Sequence, residues 1–397
     1  MADPGREAWI TGIGIVSCLG EGPQAHWQKL MAAQPSADTS MFAPFIVHPL
    51  APINFDMQIP KKGDQRQMEA WQRIGTYAAG LALDSAGLKG KTEILSRTDM
   101  IVAAGGGERD VAVDSAILST IPHAANPAVF LNERLMSDLR PTLFLAQLSN
   151  LMAGNISIVH GVTGSSRTFM GEESSGVDAV RIALSRIIAG QSDIALVGGA
   201  YNAERPDVLM LNDFGSFCLK DRYLPVWERE GKGGFALGSL GAFLVLEGRD
   251  HAQARGAKPL ARLTAVLSDR SSRRPGDVTA SLARLWDKLK DKVKAGGAAV
   301  LSGASGANPA TAEERAFLST RDGLAVRAAG SYVGHGIEPQ FPMNVALATV
   351  ALQHGSLFPP CDSSGMERPM SGDLTQVLVT SVGHWRGEGL ALVERAG

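Results

Sequence analysis

Short, nearly continuous apolar runs alternate along the chain with segments whose apolar residues recur every three or four positions. Runs of the first kind are typical of strands buried inside a sheet, and segments of the second kind of helices that pack through one face. Their succession predicts an α/β fold. The predicted strands are Trp9–Val16, Asp99–Ala104, Ser157–Gly161, Asp193–Gly199, Ala242–Glu247, Leu263–Leu267, Ala298–Ser302, Leu324–Ala329, Gln376–Ser381 and Leu390–Glu394.

Helices are predicted between several of these strands, at Glu69–Ser85, Ser174–Ala189 and Val278–Ala295. In each of them apolar residues fall on one face, and a glycine follows at the end, as at Gly190. A similar order of strands and helices appears before and after about residue 256. This repetition suggests two halves of similar architecture.

Composition and charge narrow the class of protein. The chain has 397 residues, of which 45% are apolar, and a formal net charge of −2. This nearly neutral net charge gives no support for nucleic-acid binding, which normally needs a basic face. Three widely separated cysteines, Cys18, Cys218 and Cys361, predict neither a disulfide framework nor a zinc site. Because no uncharged apolar stretch approaches about 20 residues and the start does not read as a signal peptide, we expect no membrane span and a cytoplasmic location.

Several blocks, in the right order, resemble the β-ketoacyl synthase family. They are ITGIGIVSCLG at Ile10–Gly20, the stretch Phe144–Ser166, SDIALVGGA at Ser192–Ala200, the block Pro225–Glu247 and the tripeptide Arg255–Ala257. The resemblance implies a thiolase-like fold, a five-layered αβαβα sandwich of two similar halves, and assembly as a dimer. We place the halves at residues 1–256 and 257–397. No cofactor is implied, and no glycine run has the spacing of a nucleotide-binding loop.

The resemblance also indicates which positions would carry chemistry. In the family a cysteine at the start of a helix takes the acyl group, assisted by two histidines and a lysine. Aligned on the surrounding motif, Glu173 stands at the position of the cysteine. Ala304 and Gly330 stand where the first histidine and the lysine belong, and His335 matches the second histidine. A carboxylate is a poor acyl acceptor compared with a thiolate, so Glu173 cannot play the usual role.

Two interpretations of Glu173 remain open at this point. Together with Glu172 it can cap the helix, since acidic residues in a first turn are favourable there. Alternatively its carboxylate mimics an acyl or malonyl carboxyl group in the pocket and favours decarboxylation. His335, taken alone, is more often a hydrogen-bonded structural residue than a catalyst.

Near the C-terminus, the family's glycine-rich gate corresponds to SVGHWRGE at Ser381–Glu388. Val382, His384 and Trp385 are the gate positions. His384 replaces a phenylalanine, whereas Trp385 and Arg386 replace flexible glycines. We therefore expect these larger side chains to stiffen the gate and fill the space behind it.

Two surfaces complete the predicted sites. Apolar residues fall where the family lines its dimer interface and the end of its acyl tunnel, namely Leu143, Phe144, Leu145 and Leu148. Arg66, with Lys61 and Lys62 upstream, stands where the family docks an acidic carrier protein. That basic surface is thinner than is usual in the family, so docking of an acyl carrier protein through this chain is only weakly supported.

Three functions fit this pattern. The first is a non-catalytic subunit similar to a chain length factor, which pairs with a cysteine-bearing ketosynthase and shapes its acyl tunnel. Such pairs occur in bacterial type II polyketide and aryl polyene pathways. The second is a malonyl-carrier-protein decarboxylase that uses Glu173 and His335, and the third is a homodimeric scaffold without acyl chemistry. The first is preferred because the scaffold blocks are kept while the residues that act together in catalysis are replaced.

Overall fold

The computed structural model describes residues 6–139, 143, 147–229, 231, 233–294 and 296–396. The strands are β1 Ala8–Ser17, β2 Gly20–Glu21, β3 Val47–His48, β4 Asp99–Ala103, β5 Ser166–Phe169, β6 Ile194–Tyr201, β7 Leu237–Gly238, β8 Leu240–Gly248, β9 Ala261–Asp269, β10 Ala298–Ser302, β11 Ala325–Ala328, β12 Gln376–Val382 and β13 Glu388–Glu394.

The helices are numbered separately, in chain order. They are α1 Gly22–Met31, α2 Lys62–Gln67, α3 Ala70–Ser85, α4 Thr92–Leu95, α5 Val111–Thr120, α6 Pro127–Ser137, α7 Leu151–His160, α8 Glu172–Ile188, α9 Pro206–Phe214, α10 Arg249–Ala254, α11 Asp277–Asp287, α12 Ala310–Ser319, α13 Gly330–Val333 and α14 Gln340–His354. Short 3₁₀ turns lie at Phe55–Met57, Ile121–His123, Val226–Glu228 and Lys290–Lys292. No helix in these described ranges is long and apolar enough to cross a membrane.

Two sets of five strands share one topology. The first set runs β5-β4-β6-β8-β1 and the second β11-β10-β12-β13-β9, so each has the order third, second, fourth, fifth, first. In both sets the fifth strand is antiparallel to its two neighbours and the other pairings are parallel. The sets join where Ile10 of β1 lies opposite Ala261 of β9. The predicted α/β sandwich of two similar halves is confirmed, whereas the boundary after residue 256 stays a prediction.

Two helices occupy the layer between the strand sets. Helix α14 is buried along its length from Gln340 to Leu352, and it packs on α8 and on strands of both sets. A helix that is apolar on all sides can be stable only inside a core, so its composition places it at the centre. The outer faces are covered by α3 on the first set and by α11 and α12 on the second.

Two predictions from the hydrophobic pattern were wrong. Ser157–Gly161 lies at the end of helix α7 and not in a strand. The prediction failed because a short apolar run shows no periodicity that distinguishes a strand from a helix. Gly161, in the left-handed region at φ 74°, ends the helix. The neighbouring strand is instead the polar segment β5. The helix predicted at Val278–Ala295 ends at Asp287, where the apolar face gives way to charged residues.

Helix α3 packs very closely against strand β1 because the strand carries glycine at two positions on the face that α3 covers. A Cβ atom added at Gly14 would lie 2.1 Å from the carbonyl oxygen of Ala78, and one at Gly12 would lie 2.5 Å from that of Ala82. Both contacts are with helix backbone, which cannot move aside as a flexible side chain can.

We expect Gly14→Ala to destabilise the protein by about 1–3 kcal/mol or more, because the added methyl group must push α3 off the sheet. Urea denaturation monitored by circular dichroism measures this change. Gly63→Ala in α2 is the matched control, since no atom lies within 4 Å of a Cβ there. Equal stability of both variants would contradict the packing described here.

Candidate active site

A strand, a tight turn and a helix position Glu173. The chain leaves β5 and enters α8 through Gly171 at φ 130° and the first helical residue, Glu172, at φ 55°, both in the left-handed region. Few non-glycine residues adopt such a conformation, and those that do cluster at functional sites. Glu173 follows in the first turn of α8 with only 2% of its surface exposed.

The carboxylate of Glu173 is held by histidines from two distant parts of the chain. Its Oε1 lies 2.8 Å from Nε2 of His335 and 2.8 Å from Nδ1 of His384. The backbone amide of His384 also donates to Oε1, at 3.3 Å. Glu173 therefore binds across the fold and does not serve as a helix cap. Its second oxygen, Oε2, has no hydrogen-bond partner among the described residues.

The charges of this cluster support one another. Burial alone would raise the pKa of Glu173, but the charge of His384 and the hydrogen bonds from both histidines outweigh it and hold the pKa well below its ordinary value. Burial likewise opposes charge on His384, but the negative charge of Glu173 and their hydrogen bond raise the pKa of His384 above its ordinary value. The pair is thus an ionised carboxylate facing an imidazole that holds its proton tightly.

The segment that carries His335 is fixed by backbone hydrogen bonds. Its amide donates to the carbonyl oxygen of Ala236, and its own carbonyl oxygen accepts from the amide of Gly238. The imidazole also packs on the ring of Phe235, with ring centres 5.3 Å apart. His335 is thereby aimed at Glu173 by rigid surroundings.

The gate at residues 383–387 is pinned from behind by an arginine. Nε and Nη2 of Arg273 donate to the carbonyl oxygen of Gly383 at 3.1 and 2.5 Å, and Nη1 forms an ion pair with the buried Glu388 at 2.7 Å. The amide of Gly383 donates to the carbonyl oxygen of Gly387 at 2.9 Å, which closes the turn. These bonds and the contact between His384 and Glu173 hold the loop closed.

The gate residues are not arranged as predicted. Val382 is buried at the end of β12 and His384 is buried against Glu173, but Trp385 is 56% exposed. The expectation that Trp385 and Arg386 fill the space behind the gate was wrong, because the tight turn directs His384 inward and the two following side chains outward. The ring of Trp385 packs on Phe217, with centres 5.0 Å apart.

Ala304 and Gly330 lie next to each other in the core. A Cβ atom added at Gly330 would lie 3.1 Å from the carbonyl oxygen of Ala304 and 3.4 Å from a methyl group of Val226. Both residues are buried, and the space around them is filled. The two positions matched to the family's histidine and lysine are therefore neighbours in space, with no ionisable side chain of their own.

The other predicted positions differ in exposure. Leu143 is buried, Leu148 is 39% exposed, and Phe144 and Leu145 lie outside the described residues. Arg66 is exposed near the end of α2. Of the two lysines upstream of it, Lys62 forms an ion pair with Asp56 at 2.5 Å, so part of this basic surface is neutralised locally.

A cavity of about 670 Å³ opens on the other side of His384. It is walled by aromatic rings, glycine backbone and polar side chains, among them Trp71, Gly105, Gly106, Gly107, Glu172, Tyr201, Asn202, Arg205, Phe217, Glu338, His384 and Trp385. Glu173 is not part of this lining, so His384 separates the carboxylate from the cavity. The volume is that of a typical small-molecule site.

The sequence profile of the β-ketoacyl synthase N-terminal domain matches residues 6–252, more than half of the chain. The chain belongs to the β-ketoacyl synthase family. It is 27% identical over 266 residues to 3-oxoacyl-[acyl-carrier-protein] synthase 2 of Vibrio cholerae serotype O1, with 64% of this chain and 60% of the relative covered. The chain thus spans about 60% of the length of this curated relative.

Solved structures show the same fold. The ishigamide ketosynthase/chain length factor matches with a TM-score of 0.81 and 19% identity, over 99% of this chain and 100% of that one. A type II polyketide synthase acyl-carrier protein in complex with its ketosynthase, bound to the hexaketide, matches with a TM-score of 0.74 and 17% identity, over 99% and 100%. This family member accordingly has the thiolase-like ketosynthase fold, a fold found in fatty acid and polyketide synthesis.

Sequence reasoning missed the role of His384 in this ketosynthase fold. It was assigned to the gate, but not as the partner of Glu173, which lies 211 residues earlier in the chain. The signal in the sequence was that an acid, Glu173, and a histidine, His384, replace the usual residues at two positions of the family's site, the nucleophile and the gate. A buried carboxylate requires a donor or a cation, so the pair could have been proposed together.

Glu338 was also missed. It is 6% exposed and lines the cavity. Burial raises its pKa to about 7; the hydrogen bond from its own backbone amide opposes this shift, and the negative charges of Glu173 and Glu172 add to it. Glu338 therefore keeps its proton far more readily than an exposed glutamate.

We expect Glu173→Gln to reduce the free energy of unfolding by about 3 kcal/mol at pH 6, because it leaves His384 buried without its counter-charge. Urea denaturation measures the loss. The double variant with His384→Gln should recover part of it, since the two residues form one unit. Strictly additive losses would show that the contact between Glu173 and His384 is not energetically coupled.

Glu338 predicts a pH dependence of stability. Its pKa in the folded protein lies above that of the unfolded chain, so its contribution is fully present below about pH 4.5 and is lost as the pH rises through about 7. Glu338→Gln should therefore gain up to about 3 kcal/mol relative to wild type on going from pH 5 to pH 8. Denaturant titrations at both pH values test this. A constant difference between the two proteins would contradict it.

Proposed function

We propose that the chain is a non-catalytic subunit, similar to a chain length factor, that pairs with a cysteine-bearing β-ketoacyl synthase and shapes its acyl tunnel. The observation that carries this proposal is the state of Glu173. The residue matched to the family's nucleophile is a buried, ionised carboxylate, bonded to two histidines and separated from the cavity by His384. An acyl thioester has no accessible nucleophile at such a position.

The neighbouring positions support the same conclusion. Ala304 and Gly330 offer neither an imidazole nor an ammonium group, and the space between them is already filled. The gate, which in a synthase must move as the acyl chain enters, is tied to Arg273 and to Glu173. Because nucleophile, acid–base groups and gate act as a unit, keeping His335 alone contributes little to catalysis.

An unpaired sheet edge supports a partner. Strand β5 ends the sheet with only β4 beside it in the described structure, and such an edge is a template for another chain. Exposed apolar side chains flank it: Ile158 on α7 is 73% exposed, Met170 just after β5 is 65% exposed, and Leu148 is 39% exposed. We define the edge face as β5 with these three side chains. Exposed apolar side chains beside an open strand edge fit a subunit interface.

The partner under this proposal is a ketosynthase subunit, and the acyl carrier protein reaches the pair mainly through that partner. Under this proposal the two subunits act in the cytoplasm, in bacterial polyketide, aryl polyene or fatty-acid-like synthesis. Leu148 belongs to the edge face, and under this proposal it contributes with Leu143 to the end of a shared tunnel. The malonyl decarboxylase is disfavoured because Glu173 does not line the cavity.

Co-expression with a cysteine-bearing ketosynthase from the same organism tests the proposal. We expect a one-to-one complex by size exclusion with mass determination, and elongation of malonyl-loaded carrier protein only while the partner's cysteine is intact. Ile158→Arg should weaken assembly at least about tenfold, since it places a charge in an apolar interface. Met31→Arg, at an exposed apolar residue on α1, should leave assembly unchanged.

Two results would contradict the proposal. A homodimer that decarboxylates malonyl units, and loses this activity on Glu173→Ala, would identify the decarboxylase. A homodimer that neither pairs nor reacts would identify the scaffold.

A further inference from the structure

A second cavity, of about 550 Å³, lies beside strand β11 at the edge of the second strand set. It is formed by the end of helix α12, by residues 321–326 leading into β11, and by the loop around residues 364–371. None of its lining residues lines the cavity beside His384. The second cavity is therefore a separate place where a ligand could bind.

Three arginines line this second cavity, namely Arg315, Arg321 and Arg368. None of them forms an ion pair with a carboxylate of the described residues. The lining contains one acid, Asp322, which likewise forms no ion pair within the described part of the chain. Three positive charges against one negative charge leave the cavity with a net positive charge of two.

Arg321 is held in a fixed position and is partly removed from water. Its guanidinium carbon lies 4.5 Å from the ring centre of Phe317 and 5.3 Å from that of Trp286. Nη1 donates to the carbonyl oxygen and the hydroxyl oxygen of Thr320, at 3.3 and 3.0 Å. Nε is inaccessible to solvent and has no hydrogen-bond partner among the described residues. Burial lowers the pKa of Arg321 below its ordinary value, and the negative charge of Asp287 opposes this only in part.

The acids close to this arginine do not neutralise it. Asp287, whose charge acts on Arg321, is already paired with Lys290 at 2.9 Å. In the 670 Å³ cavity, by contrast, Arg205 has an acidic partner of its own, Asp207, at 2.5 Å. A guanidinium group that is partly buried without a counter-charge gains from binding an anion, because hydrogen bonds between charged groups are the strong ones.

The other two arginines are exposed and make single contacts with backbone. Nη1 of Arg315 donates to the carbonyl oxygen of Trp227 at 3.2 Å, and Nε of Arg368 donates to that of Gly365 at 3.4 Å. Their remaining guanidinium nitrogens make no hydrogen bond within the described residues. Each side chain is thus positioned by a carbonyl group that leaves its charge uncompensated and its other donors free.

The rest of the lining suits a small organic molecule. Leu318, Leu324, Met366 and Met370 provide apolar surface. At Gly323, in the left-handed region at φ 85°, no atom lies within 4 Å of the place of a Cβ, so a ligand can approach the backbone closely there. Apolar walls with a few convergent polar groups are typical of small-molecule sites.

We propose that this second cavity binds a small phosphorylated molecule, whose phosphate group is held by the guanidinium groups of Arg315, Arg321 and Arg368. A phosphate monoester carries a charge of about −1.5 to −2 at pH 7 and three acceptor oxygens. Both properties match a cavity with three arginines and a net positive charge of two, and the planar guanidinium fork fits phosphate oxygens. The inference goes beyond the proposed function and does not depend on it.

Calorimetric titration of the purified full-length chain tests this proposal with phenyl phosphate, phenyl sulfate and malonate. Phenyl phosphate and phenyl sulfate share a shape and differ by one charge, whereas malonate is a dianion whose charges lie on two separate carboxylates. We expect saturable one-to-one binding of phenyl phosphate, at least about tenfold tighter than binding of either other probe, as one additional charge-assisted hydrogen bond would give.

Variants locate the binding. Arg315→Gln, Arg321→Gln and Arg368→Gln should each weaken phenyl phosphate binding at least about fivefold, because each removes one charged donor. Arg97→Gln is the matched control, since it removes the same charge at an exposed arginine outside the lining, and it should change the affinity less than about twofold. If Arg321→Gln fails to fold, the two variants at exposed arginines decide the matter.

Three results would overturn the inference. No saturable binding of phenyl phosphate up to about 10 mM would show that no such site exists. Equal or tighter binding of phenyl sulfate or malonate would show that a phosphate group is not what is recognised. A loss on Arg97→Gln as large as that on Arg368→Gln would show only general attraction to surface charge. Each result leaves the pairing experiment unaffected, and failure to pair would overturn the proposed function without bearing on this site.

Discussion

A carboxylate buried away from water must find hydrogen-bond donors and an opposite charge, and much of the site's geometry follows from how Glu173 meets that requirement. Its donors come from the segment after α13 and from the loop between β12 and β13. The carboxylate therefore ties the start of α8 to two segments from the second strand set. His384 is drawn inward, the gate closes over Glu173, and Trp385 is left outside.

The parts of the fold that the sequence predicted are those whose apolar pattern has no competing explanation. Strand β10 and helix α3 were predicted nearly to the residue, since a continuous buried run and a long periodic helix are distinctive. Strand β5 was missed because it is polar and partly exposed at a sheet edge. Helix α7 was mistaken for a strand because its apolar run is too short to show a period. Both errors concern the edge face, where side chains are partly exposed and the chain's own core does not determine the pattern.

The site was predictable only as far as local motifs reach. Glu173, His335, Ala304 and Gly330 could be assigned from the motifs around them. The bond from Glu173 to His384 could not, because it joins residues 211 positions apart and depends on the inward turn of the gate. Glu338 and Trp71 carry no motif at all. That both line one cavity appears only in the folded chain.

The same histidine that satisfies Glu173 also divides the pocket. On one side lies the charged cluster of Glu173, which does not line the cavity. On the other lies an aromatic space whose lining includes three residues with a buried polar atom that has no hydrogen-bond partner among the described residues, namely Trp71, Glu172 and Glu338. No cysteine is among the described residues that line this space, so an acyl thioester that enters it meets no thiol nucleophile. Under the proposed function, in which a partner subunit extends the acyl chain, burying Glu173 behind His384 keeps a reactive group of this subunit from competing with the partner for that chain.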